Sequence, residues 1–586
     1  MREKRRENYE KRHKLCLDSI EEDIIHPEDD PEIIYAEDDP DDQEEYSSPI
    51  TTKENNTEQN RLDMFRFLDE LDRYCISDAA GAALATSLLE DIGWVNSENK
   101  KLVFDKYKIR RQRIKSRKER KKRKELDLKG KIKCIGTDGR RDKTKVMIET
   151  EIDRSISKIK DEITEEHYVF TDPKSYITHS VIEHGQSNGI SLGRHLVDVI
   201  REFDSEDSVE CVVCDGTSTM TGCYNGLIAS AEREMNKELQ WCICQLPGNE
   251  TLMRHLFQYL DGGHGTSGPR SFHGPIGKAL TSGNCHLKDT IQFIPIKAPD
   301  LLVLPDEVVK DLSRDQQLLY KYSKAVDNGL VPTKHTRKKP GGINHARWLT
   351  FCLTALIEYT RDDSPSPNKI KFITYIQQVY VPGWFIIKTN PKLQQGAKNV
   401  FSIMQLVKTQ PKEIQDVAKK YVQINAFFAH SSNLLVAMLA DEDKSIRVKA
   451  VNAIMKVRHN KVKSTVERTD SGLRVFRIPI LNWRAIHYTK IIKWDITTFC
   501  EPAVTSKLLD EDLKKACFAP LHIPNYPTNS QSVERAVKLV SEASLQVYGY
   551  ERRHELILSR QAARQERPAY ETKKDLPRVS SINSVF

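Results

Sequence analysis

The stretch VECVVCDGTSTMTG, residues 209–222, decides the fold, because an uninterrupted apolar run passes directly into a polar, glycine-containing turn. Four successive apolar residues, 211–214, without polar alternation are typical of a strand buried on both faces of a sheet. Asp215 follows at once, where a strand holds a side chain on a rigid support. We therefore expect a central strand with a carboxylate at its end.

Segments on both sides of this stretch predict the rest of an α/β layer. Three segments with strand character and an amphipathic helix precede it, and a helix and a strand follow. The resulting order, β-β-β-α-β-α-β, indicates a mixed sheet flanked by helices. It differs from a doubly wound repeat because three strands precede the first helix, and the first strand is expected to end at a turn. The segments are KIKCIGTDGR (131–140), KVMIETEI (145–152), EEHYVFTDP (165–173), SLGRHLVDVIREF (191–203), GLIASAEREMN (226–236) and LQWCICQLP (239–247).

Length and composition limit the class of protein. A chain of 586 residues exceeds what one core usually supports, so two to four structural units are expected. No stretch approaches 18 uncharged apolar residues, and the N-terminus is charged, which argues against a spanning helix and a secretory signal. The 12 cysteines are scattered without repeated spacings, which favours reduced thiols in the cytosol or nucleus.

The net charge of +7 conceals two opposite blocks. Residues 21–45 carry 14 acids in 25 positions and are expected to be disordered. Residues 106–124 carry 13 cations in 19 positions, which is typical of nucleic-acid contact, although a solvated tail or a nuclear-import signal remains an equal alternative. Nucleic-acid contact and a nuclear-import signal both point to the nucleus. The candidate DNA-binding cations are Lys108, Arg110, Arg111, Arg113, Lys115, Arg117, Lys118, Arg120, Lys121, Lys122 and Arg123.

Composition shifts divide the chain into seven segments. Two short helices before the basic run are compatible with a helix-turn-helix module or with a helical hairpin that packs on the main domain. In the second helix, Ser77 or Asp78 is the expected N-cap and Gly93 the expected stop. The expected segments are a disordered acidic region (1–58), a small helical module (59–105), a basic arm (106–129), the first part of the core (130–262), a mainly helical insertion (263–500), C-terminal core helices (501–560) and a basic tail (561–586).

Three carboxylates have the placement that metal-assisted phosphoryl transfer requires. This chemistry needs two or three acids around a pair of divalent ions, and strand ends hold such acids rigidly. Asp138 follows the first predicted strand, Asp215 follows the fourth, and Glu534 lies near the start of a late helix, SQSVERAVKLVSEAS (530–544). Each has a structural alternative, because Asp-Gly pairs often form turns and a first-turn Glu often serves the helix dipole.

The order of these motifs resembles the ribonuclease-H-like catalytic domain of hAT-superfamily DNA transposases. From about residue 60 to 575 the chain also resembles transposase-like proteins of arthropods and other invertebrates. The resemblance lies in DGRRDKT (138–144), CDGTSTMTG (214–222), QWCICQLPGNETLMRHLFQYLDG (240–262), SGPRSFHGPIGK (267–278), NHARWLT (344–350) and the late helix 530–544.

The resemblance implies a fold, a reaction and partners. The fold is α/β, with an RNase-H-like mixed sheet interrupted by a large all-α insertion. Asp138, Asp215 and Glu534 correspond to an acidic triad that binds two Mg²⁺ or Mn²⁺ ions during cut-and-paste transfer at transposon ends. Trp348 corresponds to a tryptophan that stacks on a flanking base, and Arg347 beside it would reach a phosphate; core packing and a snorkelling arginine are the alternatives. DNA, a homo-oligomer and a nuclear location are implied, without a membrane or small-molecule partner.

One position departs from the family pattern. Where hAT enzymes usually carry Cys-x-x-His, this chain has Cys244 followed three residues later by Pro247, which cannot donate or ligate. A catalytically inactive DNA-binding or interaction module that keeps the fold is therefore the second hypothesis. Asp261 is the next candidate acid, although the glycines after it favour a loop cap. Cys211 and Cys214 lack the second ligand pair that a zinc site needs.

Overall fold

The computed structural model describes residues 64–566, apart from 98–99, 101, 153–154, 174, 183–184, 186, 267–270, 282–292, 300–302, 332–339, 341–347, 460–466 and 494–499. The expected disordered region 1–58 and the tail after 566 lie outside the described residues. The larger of two compact units contains Met64–Ala85 and the chain from Phe104 onward, and Thr86–Val103 belongs to the smaller one. In the described part, no helix is both long and apolar enough to cross a membrane.

One five-stranded mixed sheet lies at the centre of the larger unit. Its strands are β1 (Cys134–Ile152), β2 (Ser155–Thr171), β3 (Tyr176–Ile182), β4 (Cys211–Cys214) and β5 (Gln240–Ile243). In space they follow the order β3-β2-β1-β4-β5. β1, β2 and β3 pair antiparallel, whereas β1, β4 and β5 pair parallel. The predicted mixed α/β class is confirmed, and three strands again precede the helix Gly189–Glu202, although they are not the three predicted segments.

The prediction that the first strand ends at a turn near Asp138 is wrong. β1 runs without interruption through Asp138 and Gly139, so the first two predicted strands are one, and β3 was not predicted. Gly139 is opposite Tyr168, and a Cβ atom on Gly139 would lie 2.5 Å from the Tyr168 ring. The glycine therefore makes room for an aromatic ring on the neighbouring strand and does not form a turn.

Helices cover both faces of the sheet. Among the described residues up to position 262, the helices are α1 (Phe65–Arg73), α2 (Asp78–Asp91), α3 (Lys106–Leu128), α4 (Gly189–Glu202), α5 (Ser218–Thr221), α6 (Leu227–Met235) and α7 (Leu246–Leu260). The described residues of the predicted insertion form α8 (Pro275–Thr281), α9 (Asp306–Asp311), α10 (Arg314–Asn328), α11 (Trp348–Tyr359), α12 (Pro367–Tyr375), α13 (Val381–Thr389), α14 (Gly396–Lys408), α15 (Lys412–Val422), α16 (Asn433–Leu439) and α17 (Lys444–Arg458). The C-terminal helices are α18 (Asp510–Lys515), α19 (Gln531–Ser544) and α20 (Tyr550–Glu566).

The central strand β4 is buried on both faces, as its apolar run predicted. Val212 and Cys214 belong to the core that includes α4 and α6. Cys211 and Val213 point the other way, into a larger core that includes side chains of α7 and of the helices between residues 314 and 458. The predicted insertion 263–500 therefore shares an apolar core with the sheet, and both belong to the same compact unit.

The segment predicted as a basic arm is instead the 23-residue helix α3. It begins after Asp105, whose carboxylate accepts a hydrogen bond from the Lys108 backbone N–H at 2.8 Å and so caps the helix. The predicted ends of α2 are confirmed, because the Ser77 hydroxyl accepts from the Ala80 N–H and Gly93 has a φ of +78°. A recognition role for the first two helices stays a prediction.

Candidate functional site

Asp138 lies on β1, and Asp215 directly follows β4, the parallel strand next to β1. In the β1–β4 pairing Gly136 is the partner of Val213, and each aspartate lies two residues further along its chain. Side chains two residues apart on a strand share a face, and neighbouring strands are about 4.8 Å apart. The register therefore brings both aspartates to the carboxyl end of β4.

The helix that carries Glu534 packs on β1 beside these aspartates. A Cβ atom on Gly136 would lie only 2.8 Å from a methyl group of Val533, so the glycine allows α19 to approach β1 closely. Val169, the β2 partner of Asp138, packs with apolar side chains of the same helix. All three predicted carboxylates thus belong to elements that meet on one side of the sheet, although they are far apart along the chain.

Tyr168 is a further residue of this region that the sequence interpretation missed. Burial raises the pKa of its phenol to about 12, and the negative charges of Glu166, Asp138 and Asp215 act in the same direction. Burial also raises the pKa of the Cys214 thiol, again with contributions from Asp215 and Asp138. Both aspartates therefore act on the same neighbouring groups. The only signal for Tyr168 in the sequence was an aromatic residue within a predicted strand.

Cys244 connects the end of β5 to the start of α19. The Ser530 backbone N–H and hydroxyl approach its sulfur at 3.3 and 3.4 Å, and the same hydroxyl lies 3.4 Å from a Glu534 carboxylate oxygen. Ser530 is the N-cap residue of α19, but its side chain does not cap the helix. Burial raises the pKa of Cys244 to about 12, so it remains a neutral thiol. Pro247 falls in the first turn of α7, where proline is well tolerated.

The aspartate carboxylates make local hydrogen bonds in this structure. One oxygen of Asp138 accepts from the Gly139 N–H at 2.8 Å, and one oxygen of Asp215 accepts from the Thr217 N–H and hydroxyl at 3.1 and 2.8 Å. Across the described residues, no group of three or more His, Cys, Asp or Glu side chains is arranged to hold a metal ion. Carboxylate oxygens are the ligands that Mg²⁺ and Mn²⁺ prefer, but Asp138, Asp215 and Glu534 do not form such a group.

Trp348 lies in an aromatic cluster. It is the first residue of α11, and its ring centroid lies 4.9 Å from that of Phe351 and 6.3 Å from that of Phe257. These rings belong to the large core or pack against it, as the core-packing alternative expected. Arg347, its predicted phosphate-binding neighbour, lies outside the described residues.

Asp261, the next candidate acid, has a structural role. Its carboxylate is buried and accepts hydrogen bonds from the Ile276 and Gly277 N–H groups at 2.7 and 3.2 Å. These donors lie in the first turn of α8, where backbone N–H groups have no partner within the helix. The carboxylate therefore caps α8 across a loop, as its glycine-rich surroundings indicated.

The inner face of the basic helix α3 is neutralised within the protein. Arg113 and Arg117 both contact one Asp72 oxygen at 2.5 Å, and Arg120 contacts Asp69 at 2.6 Å. Both aspartates belong to α1 and are buried. Three of the eleven predicted DNA-binding cations of α3 thus form ion pairs that attach α3 to α1.

Asp72 also joins these two helices to the C-terminal helix α20. The Ser559 hydroxyl donates to its carboxylate at 2.6 Å, and the Arg560 side chain donates to its backbone carbonyl at 2.9 Å. Burial alone would raise the pKa of Asp72, but the charges and hydrogen bonds of Arg117 and Arg113 and the Ser559 hydroxyl hold it well below its usual range. The carboxylate is therefore ionised and shared by three helices.

The outer face of α3 presents a different set of cations to solvent. Arg111, Lys115, Lys118 and Lys122 are exposed, and their spacing of four, three and four residues aligns them along one side of the helix. Of the other predicted cations, Lys121 contacts Glu551 on α20 and Glu125, Lys108 lies 4.6 Å from the Phe104 ring, Arg110 is half-buried and Arg123 is exposed.

Comparison with known proteins adds no relative: no family model matches the chain, and no curated protein matches it.

Proposed function

We propose that the chain is a transposon-derived DNA-binding protein, descended from a cut-and-paste transposase and built on an RNase-H-like fold. The observation that carries the proposal is the register of the parallel strands β1 and β4. Asp138 on β1 and Asp215 directly after β4 each lie two residues beyond the Gly136–Val213 pair, and the Glu534 helix packs on β1 beside them. Strand order and direction support the RNase-H-like assignment. The proposal also holds that the exposed cations of α3 contact DNA and that the protein acts in the nucleus.

The proposed reaction is phosphoryl transfer at DNA ends. Asp138, Asp215 and Glu534 would hold Mg²⁺ or Mn²⁺, which when bound supplies activation of the attacking hydroxyl and stabilisation of the leaving oxygen. The chain's own part is to support these carboxylates on two strands and a helix, with Ser530 orienting Glu534. Arg111 and the lysines aligned with it would bind backbone phosphates.

The test uses the full-length protein with Mn²⁺ and nicked or hairpin DNA. We expect metal-dependent cleavage that Asp215→Asn abolishes and that the exposed control Asp470→Asn retains. Calorimetric titration with Mn²⁺ alone should show binding to wild type and to the control, but at least tenfold weaker binding to Asp215→Asn. Cleavage that survives both Asp138→Asn and Asp215→Asn would contradict the assignment of the triad.

A second candidate is a DNA-binding module without catalysis. Pro247 at the usual histidine position and the local hydrogen bonds of the aspartates favour it. It predicts salt-dependent DNA binding by wild type, no cleavage with either metal, and the same DNA affinity for Asp215→Asn. The two candidates therefore differ in both the metal titration and the cleavage assay.

A further inference from the structure

A cationic groove lies in the helical region, outside the sheet. It has a volume of 1140 Å³ and is formed by α15, α17 and the segment from Ile480 to Lys493. Among the described residues, no aspartate or glutamate lines it. Its lining cations are Lys419, Lys449, Lys456, Arg484, Lys490 and Lys493.

Four acids on or beside α15 and α17 pair with cations that do not line the groove. On α15, Glu413 contacts Lys371 and Asp416 contacts Lys412, each at 2.7 Å. On the last turn of α17, Arg458 forms ion pairs with both Glu501 and Asp510. Six cations and no described carboxylate line the groove, and a concave surface of one sign focuses the field on an incoming anion.

The groove also offers an aromatic ring in a fixed position. Trp483 is half-buried and packs against the main core, with the Lys408 ammonium 5.7 Å from its ring centroid. Lys408 donates in turn to the Ala485 carbonyl at 3.2 Å. Gln423 exchanges hydrogen bonds with Leu481 through its backbone carbonyl and its side chain, at 2.9 and 3.3 Å, which fastens this segment to α15. The groove is therefore formed before any ligand arrives.

We propose that this groove binds single-stranded nucleic acid. Its volume exceeds the roughly 300–1,000 Å³ of small-molecule pockets, which favours an extended ligand. Cations that follow a phosphate backbone and an aromatic ring on which a base can stack are the two parts of a single-strand site. Duplex DNA presents phosphates but keeps its base faces stacked, so it would leave Trp483 unused. The side-chain amide of Asn452 adds a donor and an acceptor for base edges.

The experiment measures the affinity of the full-length protein for a short fluorescein-labelled oligothymidylate, by anisotropy over a range of NaCl concentrations. The double variant Lys449→Ala/Lys456→Ala should bind at least about tenfold more weakly, and its salt slope should fall by about 1.4, at 0.7 for each lost charge. Trp483→Leu should lose affinity about 5- to 150-fold with an unchanged slope, because it removes stacking and no charge. The matched control is Lys444→Ala/Lys514→Ala, exposed lysines that do not line the groove.

Three outcomes would overturn the proposal: equal affinity of the groove and control variants, binding of inositol hexakisphosphate without binding of the oligonucleotide, or equal loss of duplex and single-strand affinity in Trp483→Leu. Thermal melting of each variant separates lost binding from lost folding. The proposal does not depend on the carboxylates, so Asp215→Asn should bind oligothymidylate as wild type does. A loss in that variant would also count against the groove as the binding site.

Discussion

The helix α3 and the groove around Trp483 are both rich in cations, but they use them differently. In α3, 13 basic residues fall within 19 positions, and Arg113, Arg117 and Arg120 are neutralised by buried aspartates. The groove gathers six cations from a span of 75 positions, residues 419–493, and no described carboxylate lines it. The density of charge along a sequence therefore does not measure the charge available to a partner.

The largest expected effect concerns the inner face of α3. Asp72→Asn removes the buried carboxylate that Arg113 and Arg117 share, so these half-buried guanidinium groups lose its compensating charge. We expect a loss of about 3–5 kcal/mol in the free energy of unfolding, measured by urea denaturation. The exposed Asp127→Asn on α3 should change it by less than about 0.5 kcal/mol. If Asp72→Asn and Asp127→Asn have the same free energy of unfolding, the inner face of α3 does not stabilise the fold.

The outer face of α3 should dominate binding to duplex DNA. Replacing Arg111, Lys115, Lys118 and Lys122 by glutamine should lower the affinity by roughly 100-fold and reduce the salt slope by about 3.6, at 0.9 for each phosphate contact. Fluorescence anisotropy with a duplex of random sequence measures both quantities. An unchanged slope in this fourfold variant would remove α3 from the DNA-binding surface. The double groove variant should leave the duplex slope unaltered.

Acid should weaken the attachment of α20, the helix that receives the inner face of α3. The Tyr176 hydroxyl lies 2.7 Å from His179 and 2.9 Å from His554. Burial lowers the pKa of His554 to about 4, with the charge of Lys121 acting in the same direction, and burial with the charge of Arg553 lowers the pKa of His167 to about 4.

These histidines are neutral when folded and accept protons more readily when unfolded. Their contribution to stability is therefore present above about pH 6.5 and is lost as the pH falls towards 4. We expect His554→Gln to reduce this loss by about 2 kcal/mol, measured by urea denaturation at a series of pH values. Parallel pH profiles for wild type and His554→Gln would show that His554 does not titrate in this window.

The smallest effect should come from a single exposed cation. Lys115→Ala removes a residue whose nearest acid, Glu119, lies 4.0 Å away on the exposed side of the helix. Its free energy of unfolding should change by less than about 0.5 kcal/mol, because surface ion pairs contribute little. A larger loss would mean that the outer face, like the inner one, stabilises the fold.

Local patterns predicted much of the fold. The apolar run of β4 indicated a strand buried on both faces, and the caps of α2 followed from Ser77 and Gly93, because each signal depends on adjacent residues. The Asp138-Gly139 pair led to the wrong prediction of a turn. The glycine is needed because the Tyr168 ring on the neighbouring strand leaves no room for a side chain. Such a reason becomes visible only when the pairing of the strands is known.

The candidate site was predictable in part. Residue type and order identified Asp138, Asp215 and Glu534, and the structure assigns them to elements that meet on one face. The roles of Cys244 and Tyr168 depend on contacts between distant segments, which no spacing reveals. The basic run was visible in the sequence, but its division between two faces follows from helix geometry and from acids on other helices. The groove left no local signal, because its cations come from separate segments.

The covering of β1 by α19 has a consequence for synthesis. Ser541 on this helix donates to Asp142 on β1, a residue 399 positions earlier in the chain. A ribosome adds roughly 5–20 residues per second, so β1 leaves it roughly 20–80 s before its partner helix exists. Throughout that interval the nascent sheet exposes apolar surface on one side, and a chaperone would have to shield it until translation finishes.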